Sequence, residues 1–195
     1  MIRLALDEDL RRAADVAEPI RYGPLYGSGR ELVAAEAAVL EAAGMGTDDL
    51  DKLFGTKSAD LPVRASGRQR LVEVKAVSGA AQESLVGHLD RHLATWPQLR
   101  PDEPVDGGVL IVNHQHRLHP VERVAEVYSR PEFVAALTVP VIGTVRLFDW
   151  WRAGDWAAIR AAVFGADPGA APAAAPTPSQ PADTGRRWWQ RARTR

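Results

Sequence analysis

The patterning of this chain predicts an α/β fold, an α+β arrangement in which a central mixed β-sheet is flanked by helices. Three observations carry that expectation. Two short apolar runs, 60–64 and 70–77, are separated by Ala65-Ser66-Gly67-Arg68-Gln69, a glycine-bearing connection that suits a hairpin. Residues 107–113 are almost wholly apolar, as an interior strand covered on both faces should be. Between them Leu85, Leu89, Leu93 and Trp96 recur at helical spacing, so a helix over 81–96 should lie on the sheet.

The other elements follow in order. A weak amphipathic helix is expected over 7–17, then a turn-rich stretch over 22–29. Ser28 and Glu31 form a capping-box pattern that opens a helix reaching about residue 43, where Gly44 can end it. A short helix fits within 48–53. Beyond the interior strand, helical stretches near 121–128 and 132–137, a strand near 139–145 and a helix near 155–164 complete one mixed sheet with helices on it. Pro62 cannot donate to a ladder, so its strand should be an edge or bulged one. Trp150, Trp151 and Trp156 gather near the end of this domain and should seal its core.

Composition limits what the chain can be. Its 195 residues, 46% hydrophobic and 25% charged, suit one domain over 1–165. Ala-Pro repetition over 166–185 reads as an extended, disordered linker, and 186–195 is a tail of five arginines with two tryptophans and no acid. Such a tail suits single-stranded bases or an anionic membrane surface, or is a basic tail without a partner of its own. The net charge of -1 is therefore uneven: residues 1–185 carry 19 basic and 25 acidic side chains, or -6. An acidic body is a poor match for long non-specific contacts with duplex DNA. There are no cysteines, the N-terminus turns acidic before a signal-peptide core develops, and no stretch approaches the ~18 apolar residues of a membrane span. A cytoplasmic protein with no integral membrane segment is the expectation.

The chemistry concentrates in Arg70-Leu71-Val72-Glu73-Val74-Lys75-Ala76. Side chains alternate across a strand, so Glu73 and Lys75 leave from one face, and Asp60 stands at the start of the preceding strand. Two acids and a lysine brought together can hold a divalent cation and activate a water against a phosphodiester. On the helix opened by Ser28, Glu36 falls in the middle of the apolar stripe of Leu32, Val39, Leu40 and Ala43, while Glu31 and Glu41 point away. A carboxylate there is paired with a buried base, held at the core's rim, or aimed at a metal.

Helix acid, strand-start aspartate and Glu-x-Lys, in that order, resemble the PD-(D/E)XK nuclease superfamily, the restriction-endonuclease-like fold. The matching stretches are "ADLPV" and "LVEVKA", and the likeness covers about residues 28 to 145. "YGSGRELVAAEAAVLEAAG" and "LIVNHQHRLHPVERV" look more narrowly like an uncharacterised bacterial group within it. The resemblance implies Mg²⁺ or Mn²⁺ held by Asp60, Glu73 and the Val74 carbonyl, with Glu36 completing the shell. Lys75 would orient or deprotonate the attacking water. It implies a nuclease acting on nucleic acid, DNA first, with a homodimer as an allowed assembly. It also places Gln82, Ser84 and His88 where related nucleases often keep a supporting polar residue, and Arg117 and Arg123 as phosphate contacts; by themselves the first three suit a solvated helix face and the two arginines an ordinary surface. Ala59 replaces the proline that often precedes the aspartate.

Two further readings stand beside this one. The same scaffold can serve as a catalytically inactive module whose basic tail binds nucleic acid or membrane. His114, His116 and His119 have His-x-His-x-x-His spacing, which suits a zinc hydrolase, although Leu118 stands where that motif normally has an acid.

Overall fold

A computed structural model describes residues 20–54 and 58–165. The helix expected over 7–17, the linker over 166–185 and the tail over 186–195 lie outside the described residues. Elements run in the order α1 (Gly29–Ala42), β1 (Gly46–Thr47), α2 (Leu50–Phe54), β2 (Leu61–Ala65), β3 (Arg68–Val77), α3 (Ser84–Leu99), β4 (Gly108–His114), α4 (Pro131–Ala135), β5 (Val141–Gly143), α5 (Thr144–Ala153) and α6 (Trp156–Phe164). The five strands form one mixed sheet in the order β1-β2-β3-β4-β5. The β1, β2 and β3 pairings are antiparallel, and β3, β4 and β5 run parallel.

Alternation along the strands sorts the core into two layers. Val72, Val74, Val109 and Ile111 face α1, α5 and α6 through Leu32, Val39, Leu147, Ile159 and Val163. Leu71, Leu110 and Val112 face the opposite way, onto Val86, Leu89 and Trp96 of α3. All seven residues of β4 are buried, as the apolar run requires of a strand with neighbours on both edges and helices on both faces. Trp150, Trp151 and Trp156 pack, partly buried, against the α1 side of the core.

The hairpin is tighter than its connecting sequence suggests. Arg68 pairs with Ala65 and Gln69 with Arg64, so the strands extend into the expected loop. Only Ser66 and Gly67 remain in the turn, with φ of 51° and 74°, the left-handed pair that a two-residue hairpin turn demands. Pro62 lies beyond the reach of β1, which pairs only with Val63 and Arg64, so its missing N–H leaves no gap in the ladder.

Four local expectations change. Residues 20–26 form a helical segment rather than turns, and it lies against α1 where a Cβ on Gly23 would stand 2.3 Å from the Cβ of Ala35. Ser28 is the N-cap of α1, with extended φ and ψ, but its hydroxyl makes no capping hydrogen bond. Residues 121–128 hold only a 3-10 turn over Pro120–Glu122, because Arg123 ties that segment down through its side chain. The strand near 139–145 stops at Gly143, and α5 begins at Thr144, whose hydroxyl donates to Asn113 Oδ1 at 3.1 Å.

Candidate active site

Asp60 and the Glu73-Val74-Lys75 run meet at the open end of the β2–β3 hairpin. The last ladder pair is Leu61 with Val72, which sets Asp60 across from Glu73. Val74 lies past that pair, and its N–H donates to Asp60 Oδ2 at 2.7 Å. Its carbonyl leaves the strand on the same edge as that N–H, toward Asp60. Lys75 Nζ stands 2.6 Å from Glu73 Oε1 and 3.9 Å from Asp60 Oδ2. Glu73 is nearly sealed from solvent at 3% exposure, while Lys75 reaches the surface.

Glu73 and Lys75 share the face of Leu71, which is the α3 side of the sheet. His92 of α3 brings Nε2 within 3.7 Å of Glu73 Oε2. This histidine approaches Glu73, whereas no described contact joins the Gln82, Ser84 or His88 side chain to the cluster. Gln82 uses its carbonyl to accept from the Tyr128 hydroxyl at 3.0 Å. The signal for His92 was in the sequence: at about 100° per residue it falls on the same stripe as Leu89 and Trp96.

Glu36 does not join the cluster. It lies on the buried stripe of α1 and is wholly inaccessible, neither carboxylate oxygen has a hydrogen-bond partner among the described residues, and burial pushes its pKa up to about 8. The reason is topological. α1 packs on the face of Val72 and Val74, whereas Glu73 and Lys75 leave from the other face. Among the described residues, no three His, Asp or Glu side chains gather closely enough to hold a metal ion.

The three histidines do not form a zinc site either. His114 ends β4, buried, with Nε2 2.8 Å from the Val124 carbonyl oxygen. His119 uses Nδ1 to accept from the Val121 N–H, as the cap of the 3-10 turn. Arg123 is a clamp rather than a phosphate contact. Its guanidinium donates to Asn113 Oδ1 at 2.8 Å, to the Leu118 and His116 carbonyls and to that of Leu25, while Asn113 Nδ2 donates to the Gly27 carbonyl at 3.0 Å. Arg117 is exposed.

A cleft of about 730 Å³ opens beside Asp60. Arg30, Val33 and Ala37 of α1 form one wall and Val74 and Lys75 the other, with Asp48 and Asp49 at its edge. The two carboxylates and the open strand edge offer hard oxygen ligands of the kind Mg²⁺ and Mn²⁺ take. The Lys75 ammonium beside the two carboxylates shows that the space suits positive charge. The oxygen donors present are of the type a divalent cation takes, two side-chain carboxylates and one main-chain oxygen in place of three carboxylates.

No family model matches the chain, and neither do the curated proteins or the solved structures compared with it.

Proposed function

We propose that this chain hydrolyses phosphodiester bonds, DNA being the first substrate to test, with Asp60, Glu73 and Lys75 as its working residues. The observation that carries the reading is their convergence at the open end of the β2–β3 hairpin, where Asp60 and Lys75 line the cleft. A hydroxide attacks phosphorus, the P–O bond to the leaving oxygen breaks, and that oxygen ends protonated. A bound Mg²⁺ or Mn²⁺ would supply charge for the phosphate and a more acidic water. Asp60 and Glu73 would hold that cation, and Asp60 is itself held by the Val74 N–H. Lys75 offers N–H donors to the attacking oxygen and to the phosphate oxygens that gain charge.

The test is cleavage of single- and double-stranded DNA and RNA with Mg²⁺ or Mn²⁺, comparing wild type with Lys75→Ala and Asp60→Ala. Activity should vanish in both variants while circular dichroism stays unchanged. A clean wild-type preparation that cuts none of these substrates with either metal refutes the proposal. The position of Glu36 favours the second reading, an inactive nuclease-fold module, because the cluster has one carboxylate fewer than the resemblance implies. That reading requires nucleic-acid or membrane association that Lys75→Ala leaves intact and deletion of 186–195 abolishes.

A further inference from the structure

We propose that the helical segment over 20–26, together with the loop over 114–124, forms a binding rim for single-stranded nucleic acid that leads a strand into the cleft at Asp60. The proposal deepens the nuclease reading by naming the form of its substrate, and it rests on that reading for the link to the cleft.

Tyr22 and Tyr26 are 60% and 42% exposed, among the most exposed large hydrophobic side chains described. Four residues apart on one helical segment, they lie on the same face about 6 Å apart along the axis. An exposed aromatic pair of this kind gives successive bases two flat faces to stack on. The rim is also built as one unit. Arg123 holds the Leu25, His116 and Leu118 carbonyls together, and its guanidinium sits 5.6 Å from the Tyr26 ring centroid. Asn113 fixes the end of the helical segment through the Gly27 carbonyl. The chain then passes directly into Ser28, Gly29 and Arg30, which line the cleft with Asp60 and Lys75.

Charge selects the partner. Residues 20–30 and 114–124 carry Arg21, Arg30, Arg117 and Arg123 against Glu122 alone, or +3, while the other described residues carry 11 basic and 17 acidic side chains, or -6. Arg21, Arg30 and Arg117 are exposed. Among the described residues a polyanion is therefore drawn to this rim and repelled by most of the remaining surface. Stacking faces set among arginines favour a strand with unpaired bases over a duplex, whose bases are hidden from them.

The test uses the full chain carrying Lys75→Ala, in EDTA, with a fluorescein-labelled oligothymidylate of about 20 nucleotides read by anisotropy. Tyr22→Ala and Tyr26→Ala should each weaken binding about tenfold or more, with Tyr→Phe at either position close to the parent. Arg21→Ala and Arg117→Ala should flatten the dependence of log affinity on log salt by about 0.7 for each phosphate left without its arginine. Hydrogen exchange should slow over 20–30 when the oligonucleotide binds. Unchanged affinity in both alanine variants overturns the proposal, as does a Phe variant as weak as the Ala one, or a matching duplex bound more tightly than the single strand. Tyr22 is 60% exposed, so an unchanged urea midpoint is expected for Tyr22→Ala, while Tyr26→Ala also loses the ring beside Arg123 and its midpoint, measured alongside, separates lost binding from lost folding. Because no cleavage is read, the outcome is independent of whether the Asp60 cluster is catalytic.

Discussion

Glu36→Gln should stabilise the protein at neutral pH, and the gain should disappear in acid. The wild-type carboxyl is wholly buried, both of its oxygens lack partners among the described residues, and its pKa rises from 4.5 to about 8. The folded state thus holds this proton more tightly than the unfolded chain does. Stability is unaffected below about pH 4.5, falls as pH rises toward about 8, and levels off beyond. At pH 7, about two and a half pH units above the ordinary value and at about 1.4 kcal/mol for each, the loss is about 3 kcal/mol. That is a large part of the ~5–15 kcal/mol that holds a typical domain together. Glutamine keeps the shape and removes the proton equilibrium, so it should recover about 3 kcal/mol at pH 7 and almost nothing at pH 4.5. Urea unfolding followed by tryptophan fluorescence, repeated across this pH range, measures the difference between the two proteins directly, and the histidines common to both cancel. Stability curves that run parallel from pH 4.5 to 8 would refute the reasoning. The same variant separates the sequence expectation from the structure, because a metal ligand at position 36 would lose Mn²⁺ affinity on amidation. A residue on the other side of the sheet would not, and equal Mn²⁺ affinity in calorimetry is the expected result.

Three further outcomes follow from the packing. Arg123→Ala should cost about 3 kcal/mol or more by urea unfolding, because the Asn113 side chain and several carbonyls lose their donor together, and Arg123→Lys should recover little of it, since one ammonium cannot span those acceptors. His92→Ala should lower Mn²⁺ affinity about tenfold with folding intact, as expected when a carboxylate ligand loses the neighbour that orients it; calorimetry checks this, and unchanged affinity would show that the 3.7 Å approach to Glu73 does not orient it. Gly23→Ala should destabilise by about 1–3 kcal/mol through its clash with Ala35, and combining it with Ala35→Gly should cost less than the two single changes added, in a double-mutant cycle read by denaturation.

How much of this was legible in the sequence depends on whether the deciding force was local. The interior strand β4 and the helix α3 were, because burial on both faces and on one stripe each leave a pattern that needs no partner to be recognised. The hairpin was legible in outline, and its length was not. Arg68 and Gln69 look like loop residues, yet Gln69 pairs with Arg64 and accepts from its guanidinium at 2.7 Å, a cross-strand match visible only once the register is set. The segment over 121–128 failed for the opposite reason. Its residues tolerate a helix, but one arginine inside it has acceptors on three other parts of the chain, and satisfying a buried guanidinium outweighs weak helix propensity.

The candidate site divides along the same line. Glu73 and Lys75 could be placed on one face by parity alone, and Asp60 near them by the outline of the hairpin, whereas its place across from Glu73 depends on the two-residue turn that sets the register. Glu36 required a different kind of information. Its position on the apolar stripe of α1 correctly says that it is buried, and nothing in that periodicity says against which face of the sheet. A helix preceding a hairpin can cover either face, and the choice is made here by Leu32, Val39 and Leu40 meeting Val72 and Val74, side chains adjacent to Glu73 in sequence but opposite to it in space. One residue of parity on β3 therefore separates an acid that completes a metal shell from an acid locked neutral in the core. Glu36 raises the stability cost of neutral pH, and a divalent cation, as proposed, would have only Asp60, Glu73 and the Val74 carbonyl to hold it.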